Sequence, residues 1–121
     1  EAIAAATAVL NMTEENDHQV LRHIRDLGNL WTDELAPKLL ENFPEIVLQA
    51  NGTGLLQALL IDKSVDLTRL KEALIKRGLV VFVMRRKLDD NIVMMITPPF
   101  IIKEQDLYSI FYGVYSVFMD L

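Results

Sequence analysis

Side chains able to do chemistry are few, and their spacing rules out most of it. His18 and His23 stand five residues apart, off the i, i+4 step that lets two helical histidines share a metal. Both read as surface or satisfied core histidines. Asp89-Asp90 is a carboxylate pair between two apolar runs, where aspartate is favoured for turn hydrogen bonding, so turn chemistry outweighs acid–base catalysis. Gly52-x-Gly54 is half of a phosphate loop, without the third glycine, the Walker lysine or a helix directly after it. Arg85-Arg86-Lys87 is the one basic cluster and reads first as the solvated mouth of a hairpin, second as a phosphate or carboxylate site. Met94 and Met95 alternate with the strand pleat and read as core. With no cysteine present, disulfides, thiolate metal sites and cysteine nucleophiles are excluded. The residues alone therefore predict no catalytic, cofactor-binding or metal-binding set.

The 121 residues suit one domain, and no linker or repeat divides them. A net charge of −5 argues against a nucleic-acid partner, which calls for a basic face. Acidic residues crowd the first half: residues 1–60 hold three basic and nine acidic side chains, residues 61–121 nine and eight. At 51% hydrophobic the chain can fill a core. Its longest unbroken apolar run, residues 79–84, is far short of the roughly 20 residues that span a bilayer, and no membrane partner is expected. The start lacks the layout of a secretory signal and opens on Glu1 rather than Met. The expectation is a cytoplasmic piece of a longer polypeptide.

The elements that must position these residues follow from apolar period. Residues 1–10 read as a helix because of their alanines, yet Thr7 is the only polar side chain between Ala2 and Leu10. A helix without a polar face is covered all round, which predicts a neighbouring domain against it. Thr13 or Asp17 can cap a second helix with Val20, Leu21, Ile24, Leu27 and Trp31 on one stripe, weakened at Gly28 and kinked or restarted near Ala36 by Pro37. Strands are predicted over residues 46–50 and 55–61, joined by Asn51-Gly52-Thr53-Gly54. A third helix spans residues 66–77 with Gly78 as its C′ glycine. Residues 79–85 and 91–97 form a hairpin around Leu88-Asp89-Asp90. A last helix starts near Lys103, with Leu107, Ile110, Phe111, Val114, Val117, Phe118 and Leu121 in register. The order α-α-β-β-α-β-β-α predicts an α+β fold, a small, mainly antiparallel sheet of three to four strands covered by helices.

Four stretches in this order carry a resemblance. AIAAATAVL followed by EEN is similar to the Ala-rich "CAAALAVL…EEENL" helix of class III pyridoxal-phosphate (PLP) aminotransferases, the ornithine, acetylornithine, putrescine and GABA type. NGTGLLQALLI resembles their "RGKGLL-x-A" strand pair, LKEALIKRGLVV their "L…L…GLLV" helix and strand, and MITPPFIIKEQDL their "R-x-x-PPL-x-I-x-E-x-E-L" closing segment. Together they run over essentially the whole chain.

The resemblance implies the C-terminal small domain of a PLP-transferase of fold type I over residues 1–121, with residues 1–12 the helix linking it to an absent large domain. It implies a homodimeric parent that takes small-molecule amino donors and acceptors and holds PLP as a Schiff base on a lysine of that large domain. None of Lys38, Lys63, Lys71, Lys76, Lys87 or Lys103 lies in a matching motif, so this chain alone is expected to bind no cofactor and to be inactive. It departs from the family at Met95, three residues before Pro98, where an arginine ordinarily clamps the substrate carboxylate. Methionine has no fork of donors to replace it. Three explanations compete: an altered substrate, a charge from Arg85 or Arg86, or lost activity. Asn51 likewise replaces the arginine before the first glycine, which leaves Gly52 and Gly54 as loop residues near the site. The competing reading is a non-catalytic α+β regulatory or assembly module.

Overall fold

A computed structural model describes residues 18–79, 81–98 and 102–121. The expected helix over residues 1–10 and the cap at Thr13 or Asp17 lie outside the described residues. Helix α1 (His18–Leu30) passes through a single π-turn (Trp31–Leu35) into α2 (Ala36–Asn42). Next come strands β1 (Val47–Thr53) and β2 (Leu56–Ile61), helix α3 (Leu67–Lys76), strands β3 (Phe82–Arg85) and β4 (Ile92–Ile96), and helix α4 (Glu104–Met119). The four strands form one antiparallel-paired sheet in the order β1-β2-β4-β3. β4 slots between β2 and β3, which α3 connects. The α+β class with a helix-covered antiparallel sheet is therefore observed.

Local chemistry explains each boundary. Pro37 has no N–H to give to the carbonyl four residues back, so the ladder slips there. Ala36 N–H reaches back to the Trp31 carbonyl instead, and the helix restarts where the proline predicts. Asp66 caps α3 by accepting from Thr68 N (2.9 Å) and Arg69 N (3.2 Å), and Gly78 follows its end at φ +73°. At the start of α4, Lys103 N donates back to the Asp106 carboxylate at 3.0 Å, half of a capping box.

Three expectations need correction. The segment Asn51-Gly52-Thr53 is not a connector but the last part of β1, paired with Ala58, Gln57 and Leu56. The turn is only two residues, with Gly54 at φ +55° in its first position, where such hairpins need a left-handed residue. β3 begins at Phe82, three residues later than its apolar run suggests. Leu21, placed on the buried stripe of α1, is 49% exposed, whereas Leu27 and Trp31 are buried.

The core lies on one side of the sheet. Leu59 and Ile61 of β2, Ile92, Met94 and Ile96 of β4, and Val83 of β3 pack with Trp31, Leu35, Leu39, Leu70, Leu74, Phe111 and Phe118 of the helices. The opposite face is also apolar. Ala58 and Leu60, with Val93 and Met95, are only half-buried, and Leu56, Phe82 and Met84 are exposed. A one-sided antiparallel sheet normally carries polar side chains there; no described helix packs on this one.

Gly28 is a packing residue rather than a weak point. A Cβ on it would stand 2.6 Å from the Gly54 carbonyl oxygen, so α1 crosses the β1–β2 turn backbone to backbone. Gly28→Ala gains helix propensity, but the clash outweighs it. We expect a loss of about 1–3 kcal/mol, read as a lower urea midpoint; an unchanged or raised midpoint contradicts this crossing.

Candidate functional site

Strand register collects the positions that the sequence singled out. Asn51 pairs with Ala58, Ala58 with Met95, and Met95 with Phe82. These four make one row across the sheet on its open face. The two positions at which the chain departs from the class III motifs, Asn51 and Met95, are thus two strands apart, roughly 10 Å at ordinary strand spacing. Gly52 sits one step along β1, opposite Gln57. Gly54 forms the adjoining turn. Met95, Gly52 and Gly54 therefore lie at the same end of the sheet. Met94, by contrast, is wholly buried on the helix side, so of the two methionines it alone is core.

One site residue escapes sequence reasoning. Gln57 is 6% exposed, the only buried polar side chain among the described residues, and its Nε2 donates to the Gly54 carbonyl at 2.7 Å. It ties the turn down and borders a cavity of about 200 Å³ with Thr32, Pro37, Asn51 and Gly52. A glutamine in step with Leu59 and Ile61 was the available signal.

The basic cluster stands apart from Met95 and is tied into the β3–β4 turn. Arg85 donates to the carbonyls of Lys63 (3.3 Å), Val65 (3.1 Å) and Asp90 (3.0 Å), locking the β3–β4 turn onto the loop before α3. Arg86 pairs with Asp89, with Nε to Oδ1 at 3.1 Å and a second bond from Nη2. Both arginines stand at the Ile92 end of β4, three residues from Met95, and are engaged in these contacts. The turn reading of Asp89-Asp90 agrees with this: Asp90 adopts φ +63°, and Asp89 also accepts from Asn91 N and Nδ2, both at 3.1 Å.

The Arg86 guanidinium holds the Asp89 carboxyl at about 2, with the Asn91 N–H helping against partial desolvation. Its value in the folded chain is below the unfolded one of about 3.9. The carboxylate's stabilisation is thus complete above that value and is lost as pH falls towards about 2. Urea midpoints of the wild type and Asp89→Asn should differ at pH 5 and converge by about pH 2; a constant gap contradicts the pairing.

His23 Nε2 donates to the Ile102 carbonyl at 2.6 Å, so this histidine is a satisfied structural one. Of His18 only the backbone is described. Among the described residues no cluster of three or more metal-ligating side chains occurs, and no helix is long and apolar enough to cross a membrane. All six lysines are exposed. A Schiff-base lysine is activated by an enclosing, desolvated pocket, and none of the six stands in one among the described residues.

This sheet-and-helix arrangement is found within class III aminotransferases. The Toxoplasma gondii ornithine aminotransferase matches at a TM-score of 0.71 with 23% identity, over 87% of this chain and 24% of that one. Acetylornithine aminotransferase from Elizabethkingia anophelis matches at 0.69 with 27% identity, over 88% and 25%. The lysine aminotransferase of Mycobacterium tuberculosis matches at 0.71 with 20% identity, over 84% and 22%. The resemblance read from the four motifs is thus shown at the level of the fold, and the chain spans about a quarter of the length of these enzymes. No family model matches the chain, and no curated protein sequence matches it.

Proposed function

We propose that the chain is the C-terminal small domain of a class III-like PLP-dependent aminotransferase. The observation that carries this reading is a likeness covering 87% of this chain but only 24% of the Toxoplasma enzyme, the proportion of one lobe. A Toxoplasma ornithine aminotransferase structure has partial occupancy of PLP at its active site. In the parent of this chain, PLP held by the remaining large domain would supply the electron sink for amino transfer from donor to acceptor. The small domain contributes shape and exclusion of water on the substrate side, through the row Asn51–Ala58–Met95. That row is uncharged. It suits an amino donor without a carboxylate at this point, because burying a carboxylate there leaves it unpaired. The expected partners are the large domain of the same polypeptide, a second subunit, and small amines and oxo acids.

The same uncharged row favours a second reading, a regulatory or assembly module that has left catalysis behind. The polypeptide carrying this chain, supplied with PLP, separates the two when assayed against amines with and without an α-carboxylate. Transfer from an amine lacking the carboxylate, faster than from glutamate, is expected. Failure to transfer an amino group from any donor contradicts the aminotransferase reading and leaves the module.

A further inference from the structure

The open face of the sheet has one low point, and one polar side chain stands on its rim. Ala58 carries the smallest side chain there. Its neighbours along β2 on that face are Leu56 and Leu60, and its cross-strand partners are Asn51 and Met95. A lone methyl among four longer side chains leaves a notch, with Asn51 and Met95 as walls roughly 10 Å apart at ordinary strand spacing. Leu56 is 52% exposed at its edge, and Ala58 and Met95 are half-buried, so the floor of the notch is open to solvent.

Asn51 is the one wall with hydrogen-bonding groups, and its orientation is set from within β1. Gln49, next along the strand on the same face, donates from Nε2 to Asn51 Oδ1 at 3.3 Å. The carbonyl oxygen is thus engaged, while the two N–H groups of Nδ2 find no acceptor among the described residues. The free hydrogen-bonding capacity at the notch is mainly a donor's. We propose that Ala58 and Asn51 are specificity-determining residues: the notch takes the aliphatic body of an amine, and Asn51 Nδ2 donates to a neutral oxygen at its far end, as in an amino alcohol. This assignment rests on the aminotransferase reading and names the donor class for it. A carboxylate at the far end meets no charge that offsets its desolvation. An ammonium there brings donors against donors. A hydroxyl accepts from the amide and loses little on leaving water.

The polypeptide carrying this chain, loaded with PLP, is assayed with amino alcohols and with n-alkylamines of matched length. We expect kcat/KM to be about three- to ten-fold higher for the amino alcohol, the contribution of one neutral hydrogen bond. Asn51→Leu, close in volume but without the amide, should erase that preference. Asn51→Asp keeps the shape, presents acceptors only, and should turn the preference towards an α,ω-diamine, whose far ammonium it can pair. A merely structural Asn51 predicts neither change. Ala58→Leu fills the notch and should lower kcat/KM more for long amines than for short ones. Amino transfer with the same preferences in the wild type and all three variants overturns the assignment and leaves the aminotransferase reading standing. A wild type that uses alkylamines as well as amino alcohols does the same. No transfer from any donor in any form overturns both.

Discussion

Trp31→Ala is expected to destabilise the fold by about 3–5 kcal/mol, the range for emptying a buried aromatic site. A domain of this size has a total stability of about 6–18 kcal/mol, so the variant should be partly unfolded or unfold well below the wild-type temperature by circular dichroism. Trp31 is 1% exposed at the first residue of the π-turn, with its ring edge-on to Phe111 at 6.4 Å between centroids. It sits where α1, the sheet and α4 meet, and a void there has walls on three elements that cannot all collapse. Its Nε1–H finds no acceptor among the described residues. That donor adds nothing to stability and incurs a desolvation penalty. Trp31→Phe, which keeps most of the ring and removes the orphaned donor, should therefore lose about 1 kcal/mol or less. If the two variants are equally destabilised, the ring's packing is not what holds the helices to the sheet.

The second large effect concerns Met95. Under the aminotransferase reading, Met95→Arg should raise kcat/KM for glutamate about 10–100-fold in the parent polypeptide. A hydrogen-bonded charge pair contributes about 1.5–3 kcal/mol, and 1.4 kcal/mol is tenfold. Met95→Leu, matched in size and uncharged, is the control and should leave glutamate turnover within about two-fold. The substitution is tolerable because Met95 faces the open side of β4 between Ala58 and Phe82 and is only half-buried. A rise with arginine and none with leucine assigns a substrate carboxylate to that row. No change with arginine contradicts it and favours the non-catalytic module.

What the sequence made legible was local. Gly78 after α3 and Asp89-Asp90 in a tight turn act within a few residues and stand where their chemistry predicts, while Asp66, read as the first residue of that helix, is its cap. Pro37 likewise announced the break near Ala36, although not that a π-turn would make it. The β1–β2 connection misled because Asn-Gly-Thr-Gly has two glycines for one turn. Gly54 serves the turn, while Gly52 stands on the strand opposite Gln57, a need visible only once the strands are paired. Gly28 looked like a weakness because its role is contact with Gly54, twenty-six residues away. The row from Asn51 to Met95 was hidden for the same reason. A one-residue change of register moves either side chain to the other face, and nothing local specifies the register of three strands.

These residues are proposed to form the smaller lobe of a vitamin B6 enzyme whose larger lobe brings the reactive amine. The most direct test is the visible absorption spectrum of the parent polypeptide after incubation with PLP and removal of the free cofactor. The account predicts a retained visible band that bleaches when an amino donor is added. A colourless protein, with all the PLP recovered in the filtrate, contradicts it.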